Sequence, residues 1–278
     1  MSLPHRERAY AKVNLLLHVG PARADGLHEI CSLFASVDLA DDLLVTRGAG
    51  ADSVDCPGVE GPNLVATALA AFRRETGAQL PPLRVSISKR IPVAAGLGGG
   101  SADAAAALRA ANDLSGRSLE AARLRALGAA IGADVPSQVE PRHALVSGAG
   151  ERVAPIALPA MALLLVPRGP GLRAGEVYAE ADRLGLPRAA LDAERIRELA
   201  TAPLETLAAG LESDLEAAVL SLRPQLERPL AALRGAGAMA ALVTGSGPTL
   251  FGVFSDRAAA VAAAARVPGG VVSMVRPS

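Results

Sequence analysis

Lysine and asparagine are nearly missing from this 278-residue sequence. Lys12 and Lys89 are its only lysines, and Asn14, Asn63 and Asn112 its only asparagines. A chain that drifts so far toward Ala, Arg and Gly keeps its scarce types where chemistry needs them. Arginine cannot replace a compact ammonium that must fit a small site. Cysteine is as scarce, and Cys31 and Cys56 are too few for a disulfide framework or a structural zinc site. No apolar run approaches the roughly 18 residues of a membrane span. Net charge is missing too: 28 basic residues balance 28 acidic ones. That balance argues against nucleic acid or an anionic membrane as the main partner. The opening residues hold no apolar core of a secretion signal, so a cytoplasmic protein is expected.

Glycine, by contrast, is concentrated. Gly96, Gly98, Gly99 and Gly100 fall within five positions, and Ser101 then opens an alanine-rich run of good helix formers. Glycine tolerates positive φ and lets a ligand approach bare backbone. A helix beginning between Gly99 and Ser101 points unpaired N–H groups and its positive dipole end into that loop. Together they make an anion site, most often for phosphate. Ser101 is placed to cap the helix or to bond a phosphate oxygen, and Asp103 to complement the dipole in the first turn. No Gly-Lys-Ser/Thr follows, so this is not a P-loop. The segment before it, Leu83 to Arg90, alternates like a half-exposed strand and is unlike the buried first strand of a dinucleotide fold.

Periodicity along the chain predicts an early strand over Ala9–Val19, two strands within Cys31–Val45 interrupted by Asp41-Asp42, and a short one at Ser53–Cys56. Asn63 can cap a helix that runs to about Thr76 and ends at Gly77. A strand over Leu83–Ser88 feeds the glycine loop, and helices over Ser101–Leu114 and Leu119–Ile131 follow. A hairpin is expected about Gly148-Ala-Gly150, then a buried strand at Met161–Val166 and three or four helices within Gly175–Gly235. Strands flank the loop Gly245-Ser-Gly-Pro248, and a helix (Arg257–Arg266) and a strand (Gly270–Arg276) close the chain. This mixture indicates an α+β fold in two parts, residues 1–158 and 159–278.

Three segments, in order, resemble the motifs of the GHMP kinases. They are Ala11-Lys-Val-Asn-Leu-Leu-Leu-His18 with Arg23-Ala-Asp-Gly-Leu-His28, the glycine loop, and Val243-Thr-Gly-Ser-Gly-Pro-Thr-Leu-Phe251. The resemblance, joined by Gly132-Ala-Asp-Val-Pro136, runs from about Tyr10 to Val275. It implies a two-domain kinase with ATP and Mg²⁺ as cofactors and no dedicated metal ligand among the residues. The acceptor it implies is CDP-linked methylerythritol, in the non-mevalonate route to isoprenoid precursors. Lys12 and Asp134 match the catalytic pair. Pro92, Gly96, Gly98, Gly99, Gly100, Ser101 and Ala102 match the phosphate loop, and Asn63 and Lys89 match positions near the adenine. Asn14, Leu27, His28 and Tyr178 match the substrate side.

Each residue also has a plainer reading. Lys12 can be a solvated strand-end charge, Asp134 a turn residue, Asn63 a helix cap and no more. Leu27 stands where the family usually has an aromatic, and Ser137-Gln138 where it often has aromatics. A homodimer is compatible with the resemblance. Two alternatives stay open: another GHMP activity, on mevalonate, homoserine or a sugar, and a non-catalytic nucleotide-binding protein on the same fold.

Overall fold

A computed structural model describes residues 4–277, so the extreme ends of the two expected parts lie outside the described residues. Two compact units emerge, and they are interleaved along the chain. The first comprises residues 1–11, 39–93 and 98–141, and the second 12–38, 94–97 and 142–278. They do not follow a division at residue 158. Two long strands are the reason: β1 (His5–Ala22) and β2 (His28–Arg47) each pass from one unit into the other.

In the first unit, β3 (Ser53–Asp55) runs parallel to β4 (Leu83–Ser88), and β4 pairs antiparallel with the end of β2, Asp42 opposite Ser88. Helix α1 (Leu64–Thr76) starts at Asn63, whose side chain accepts from the Val65 N–H at 2.9 Å, and ends at left-handed Gly77. Helix α2 (Gly99–Leu114) is buried over most of its circumference, with Ala104, Ala105, Ala106 and Ala107 fully enclosed. Its small side chains let Phe72, Leu69, Val85 and Leu43 close round it in one core. Helices α3 (Ala121–Ala129) and α4 (Val135–Val139) complete the unit. Gly128 permits α4 to lie against α3, because a Cβ there would stand 2.9 Å from Val135.

The second unit takes the start of β2, which pairs with β5 (Ala144–Gly148); β5 forms a hairpin with β6 (Arg152–Pro155). Its other sheet is wholly antiparallel in the order β10-β7-β9-β8, built from β7 (Ala162–Val166), β8 (Ala240–Val243), β9 (Leu250–Phe254) and β10 (Val271–Met274). Against it pack α5 (Ala174–Arg183), α8 (Glu216–Leu222), α9 (Glu227–Gly235) and α10 (Arg257–Ala264), over a core including Leu164, Val166, Val219 and Phe254. Short helices α6 (Ala193–Ala200) and α7 (Leu204–Ala209) lie between α5 and α8. No helix among the described residues is long and apolar enough to cross a membrane.

The α+β expectation holds, and four local expectations are corrected. Cys31–Val45 is one unbroken stretch of β2, because the buried Asp41 carboxylate finds donors within the protein. The Asp134-Val-Pro136 turn opens a short helix, α4, since proline is tolerated in a first turn. Gly175–Gly235 holds five α-helices and a 3-10 turn, cut apart at Pro203 and Pro224. Ser101 is not the cap of α2. Gly98 holds that position in the left-handed region with φ 70°, and Ser101 is the third helical residue.

Candidate active site

Within the first unit the phosphate loop runs into the N-terminus of α2. The Ala102 N–H donates to the Gly98 carbonyl at 2.8 Å, so the helix is hydrogen-bonded from its first turn. A Cβ on Gly100 would make one ordinary contact, with Leu64 at 3.8 Å. Ser101 faces the turn that carries Asp134: its Oγ lies 3.9 Å from where a Cβ on Gly132 would stand. Asp134 itself leads α4, and its carbonyl accepts from the Ser137 hydroxyl at 2.8 Å.

Lys89 sits under this loop rather than in open solvent. Its ammonium bridges Asp41, which is fully buried, and Asp103, at 2.8 Å. Asp41 also accepts the N–H groups of Arg90 at 2.5 Å and Ile91 at 2.8 Å. The chain is thus pinned just before the loop by Asp41 and tied to α2 just after it by Asp103. Burial pulls the Lys89 ammonium down, but the two carboxylates outweigh it and hold its pKa above the ordinary lysine value. Burial is likewise the main cause that raises the Asp103 carboxyl to about 7, against the pull of Lys89. Oδ1 of Asp103 is buried with no hydrogen-bond partner among the described residues. We therefore take Lys89 as cationic and Asp103 as the group that titrates near neutrality. Asp103 does not serve the first-turn dipole, as the sequence suggests; it faces inward, to Lys89. A carboxylate about one turn into a helix opened by a glycine cluster gives no hint of such a partner.

Within the second unit the other motifs converge. Lys12 is buried, its Nζ donates to Oδ1 of Asn14 at 2.7 Å, and it lies 4.9 Å from the centre of the Phe34 ring. The Asn14 amide donates in turn to Ser32 Oγ, and its backbone N–H to Thr244 Oγ1, both at 2.9 Å. A Cβ on Gly245 would stand 3.0 Å from the Asn14 carboxamide oxygen and 3.6 Å from Lys12 Nζ. The start of the glycine loop belongs to the same cluster. The Lys12 N–H donates to the Leu97 carbonyl at 3.0 Å, and Gly96 packs directly on Gly247 and Thr244. Glycine in these motifs therefore permits close approach of three backbones.

A concavity in this unit, about 320 Å³, is lined in part by Leu27, His28, Ile30, Ala174, Tyr178 and Asp182. Asp25 Oδ1 accepts the Leu27 N–H at 3.1 Å, the Arg23 N–H donates to the Leu27 carbonyl, and Gly26 turns the chain at φ 81°. Leu27 is thereby presented to solvent with half its surface exposed, whereas His28 is buried. The His28 ring stacks on Tyr178 with centroids 5.2 Å apart, and its Nε2 lies 2.8 Å from Asp182 Oδ1. Asp182 was not among the residues the sequence suggests. It stands four residues after Tyr178 and so shares its face of α5. Of the three remaining positions named from the sequence, Asn63 is a genuine helix cap, and its amide N–H₂ makes no hydrogen bond among the described residues. Pro92 precedes the loop, and Ala102 is buried in the first turn of α2.

Comparison with known proteins follows the same outline. The model for the GHMP kinases N terminal domain matches residues 63–140, and that for the GHMP kinases C terminal matches 188–270. A 4-diphosphocytidyl-2-C-methyl-D-erythritol kinase of Anaeromyxobacter dehalogenans is 43% identical over 94% of this chain and 84% of its own length. One from Streptomyces coelicolor is 40% identical over 87% of this chain and 85% of its own. A crystal structure of 4-(cytidine 5'-diphospho)-2C-methyl-D-erythritol kinase superposes with a TM-score of 0.82 at 32% identity, covering 99% of this chain and 100% of that one. A homoserine kinase from Cytophaga hutchinsonii shares the fold, at a TM-score of 0.70 and 16% identity. The chain belongs to the GHMP kinase family, among relatives that carry the name 4-diphosphocytidyl-2-C-methyl-D-erythritol kinase.

Proposed function

We propose that this protein is a kinase that transfers the γ-phosphoryl group of ATP to the 2-hydroxyl of 4-diphosphocytidyl-2-C-methyl-D-erythritol. The step belongs to the non-mevalonate route to isoprenoid precursors, and the reading carries a cytoplasmic location with it. The observation that favours this acceptor is the concavity around His28, to which the segment Arg23-Ala-Asp-Gly-Leu-His28 contributes Gly26, Leu27 and His28. With Asp182 accepting from Nε2, a neutral His28 ring presents Nδ1 as an acceptor. That polarity suits the exocyclic amine of cytosine. Leu27 and the His28–Tyr178 stack supply apolar surface for the base, Leu27 replacing the usual aromatic without its π-face.

For ATP, the residues at the loop fit. Gly98, Gly99, Gly100 and Ser101 offer backbone N–H groups at the N-terminal end of a 16-residue helix, and Ala102 closes its first turn. Asn63 and Lys89 are assigned to the adenine side, Asn63 through its amide and Lys89 through its hold on the loop. Phosphoryl transfer asks of a protein mainly positioning and neutralisation of charge. We assign Asp134 to accept the proton of the attacking hydroxyl and Lys12, held by Asn14, to offset the charge that develops. The two residues lie in different units, and their pairing rests on the motif match. Mg²⁺ would accompany ATP and shield its phosphates. Of the described residues, His5, Glu7 and Asp113 alone group like metal ligands. Arg109 and Arg117 already neutralise their carboxylates, and Asp113 lies near the far end of α2, about 20 Å from the loop.

The test is transfer of label from γ-labelled ATP to a panel of acceptors: the CDP-linked alcohol, mevalonate and homoserine. Label on the CDP-linked alcohol alone supports the proposal, and preferential labelling of either other acceptor refutes it.

A further inference from the structure

Arg168, Arg228 and Arg266 converge on a pocket of about 420 Å³ in the second unit. They come from three separate places: Arg168 follows β7, Arg228 lies in the first turn of α9, and Arg266 follows α10. Gln225, Val267 and Pro268 complete the wall, and no carboxylate lines it. Other arginines of the chain pair with acids, as Arg73 does with Asp52, Arg188 with Asp214 and Arg183 with Glu180. Arg234, on α9 itself, reaches Glu216. Among the described residues, none of the three pocket arginines has an acidic partner within ion-pair distance.

One of the positions is unlike an ordinary surface arginine. Arg168 is half-buried, and its guanidinium donates to the Pro268 carbonyl at 2.8 Å, which fixes its direction. Gly269 leaves room for it, since a Cβ there would stand 3.2 Å from Nη1. Arg228 is exposed in the first turn of α9, beside Glu227. Like charges gathered in a concavity repel one another and focus a positive potential there. An anion relieves that repulsion, and planar guanidinium forks match phosphate oxygens two at a time.

We propose that this pocket is a second anion site, separate from the phosphate loop, and that it takes a small polyphosphate or a metabolite bearing a di- or triphosphate. Three forks from three directions suit adjacent phosphates better than a single monovalent ion. The site stands whether or not the kinase reading above is correct.

Calorimetric titration of the full chain with sodium tripolyphosphate tests it. A non-hydrolysable ATP analogue and cytidine diphosphate are present at saturation to fill the sites proposed above. The wild type should take up a further equivalent, with affinity that weakens as salt rises from about 0.05 to about 0.2 M. Arg228→Gln with Arg266→Gln should weaken that uptake roughly tenfold or more, with turnover unchanged and the melting temperature of the free protein not lowered. Arg168→Met, which removes the tethered fork, should act in the same direction. No further uptake by the wild type, or uptake that a folded double variant leaves unaltered, would overturn the proposal.

Discussion

Gly96 and Gly247 meet so closely that a Cβ on Gly96 would stand 2.9 Å from the Gly247 carbonyl oxygen. The Thr244 carbonyl would be 3.0 Å away, and the Gly96 φ of 78° disfavours any side chain. Gly77 offers the matched control, with φ 61° and nothing within 4 Å of its added Cβ. Gly77→Ala should cost only the left-handed penalty, about 1–2 kcal/mol. Gly96→Ala should cost more by at least ~1 kcal/mol, from the clash with backbone that cannot easily move. Urea unfolding of the two variants compares them directly, and equal losses would show that the contact between the motifs is slack.

Asp103 predicts a pH dependence of stability. Its carboxyl titrates near 7 in the folded chain and near 3.8 in the unfolded one, so between these values the folded state binds the extra proton. Stability from this group is therefore highest at low pH and declines as pH rises toward about 7, then levels off. Asp103→Asn removes the titration. The wild type should lose thermal stability relative to that variant between about pH 5 and 8, as read from paired melting curves. Lys89, whose pKa is raised, stays charged across this window. Cys56, Asp41 and Asp55 are the other titratable groups facing the cluster, and the Cys56 thiol is raised by burial above its ordinary value, outside the window. A constant difference between the curves would contradict the assignment.

The catalytic pair predicts a division between chemistry and binding. Asp134→Asn should lower kcat by ~10²–10⁴-fold and leave ATP affinity nearly unchanged. Lys12→Met should do the same, and the double variant should be little worse than either, because the two act as a unit. Near-normal turnover in either single variant refutes the pair. Gly98→Val, which forces a β-branched residue to φ 70°, should abolish nucleotide binding instead.

Asp182 holds the His28 ring, so its loss should be felt by the acceptor alone. Asp182→Ala should raise KM for the CDP-linked alcohol several-fold while KM for ATP and the fold are unaffected. A purely structural role would shift the melting temperature and leave KM alone. Steady-state kinetics with each substrate varied in turn distinguishes the two.

Much of this was legible along the sequence, where the cause of a feature is local. Asn63 and Gly77 mark the ends of α1 because a cap and a left-handed stop are set by neighbouring residues. Strand β4, the β5–β6 hairpin and α10 were visible for the same reason. What was hidden depends on partners distant in the chain. Asp41-Asp42 reads as a strand break, since nothing nearby shows that Arg90, Ile91 and Lys89 will satisfy Asp41. Asp182 lies 154 residues from His28. The interleaving of the two units is set by β1 and β2 crossing between them, and no local composition marks it.

The central claim, a kinase that recognises its alcohol through cytidine, is tested most directly by one ratio. It compares kcat/KM for 4-diphosphocytidyl-2-C-methyl-D-erythritol with that for the same alcohol lacking its CDP group, in the wild type and in Tyr178→Ala. Stacking of a base on an aromatic ring is worth about 1–3 kcal/mol, or roughly five- to 150-fold in affinity. The wild type should strongly prefer the CDP-linked alcohol, and Tyr178→Ala should reduce that preference by a factor in this range. Equal turnover of the two alcohols, unchanged by the substitution, would contradict the claim.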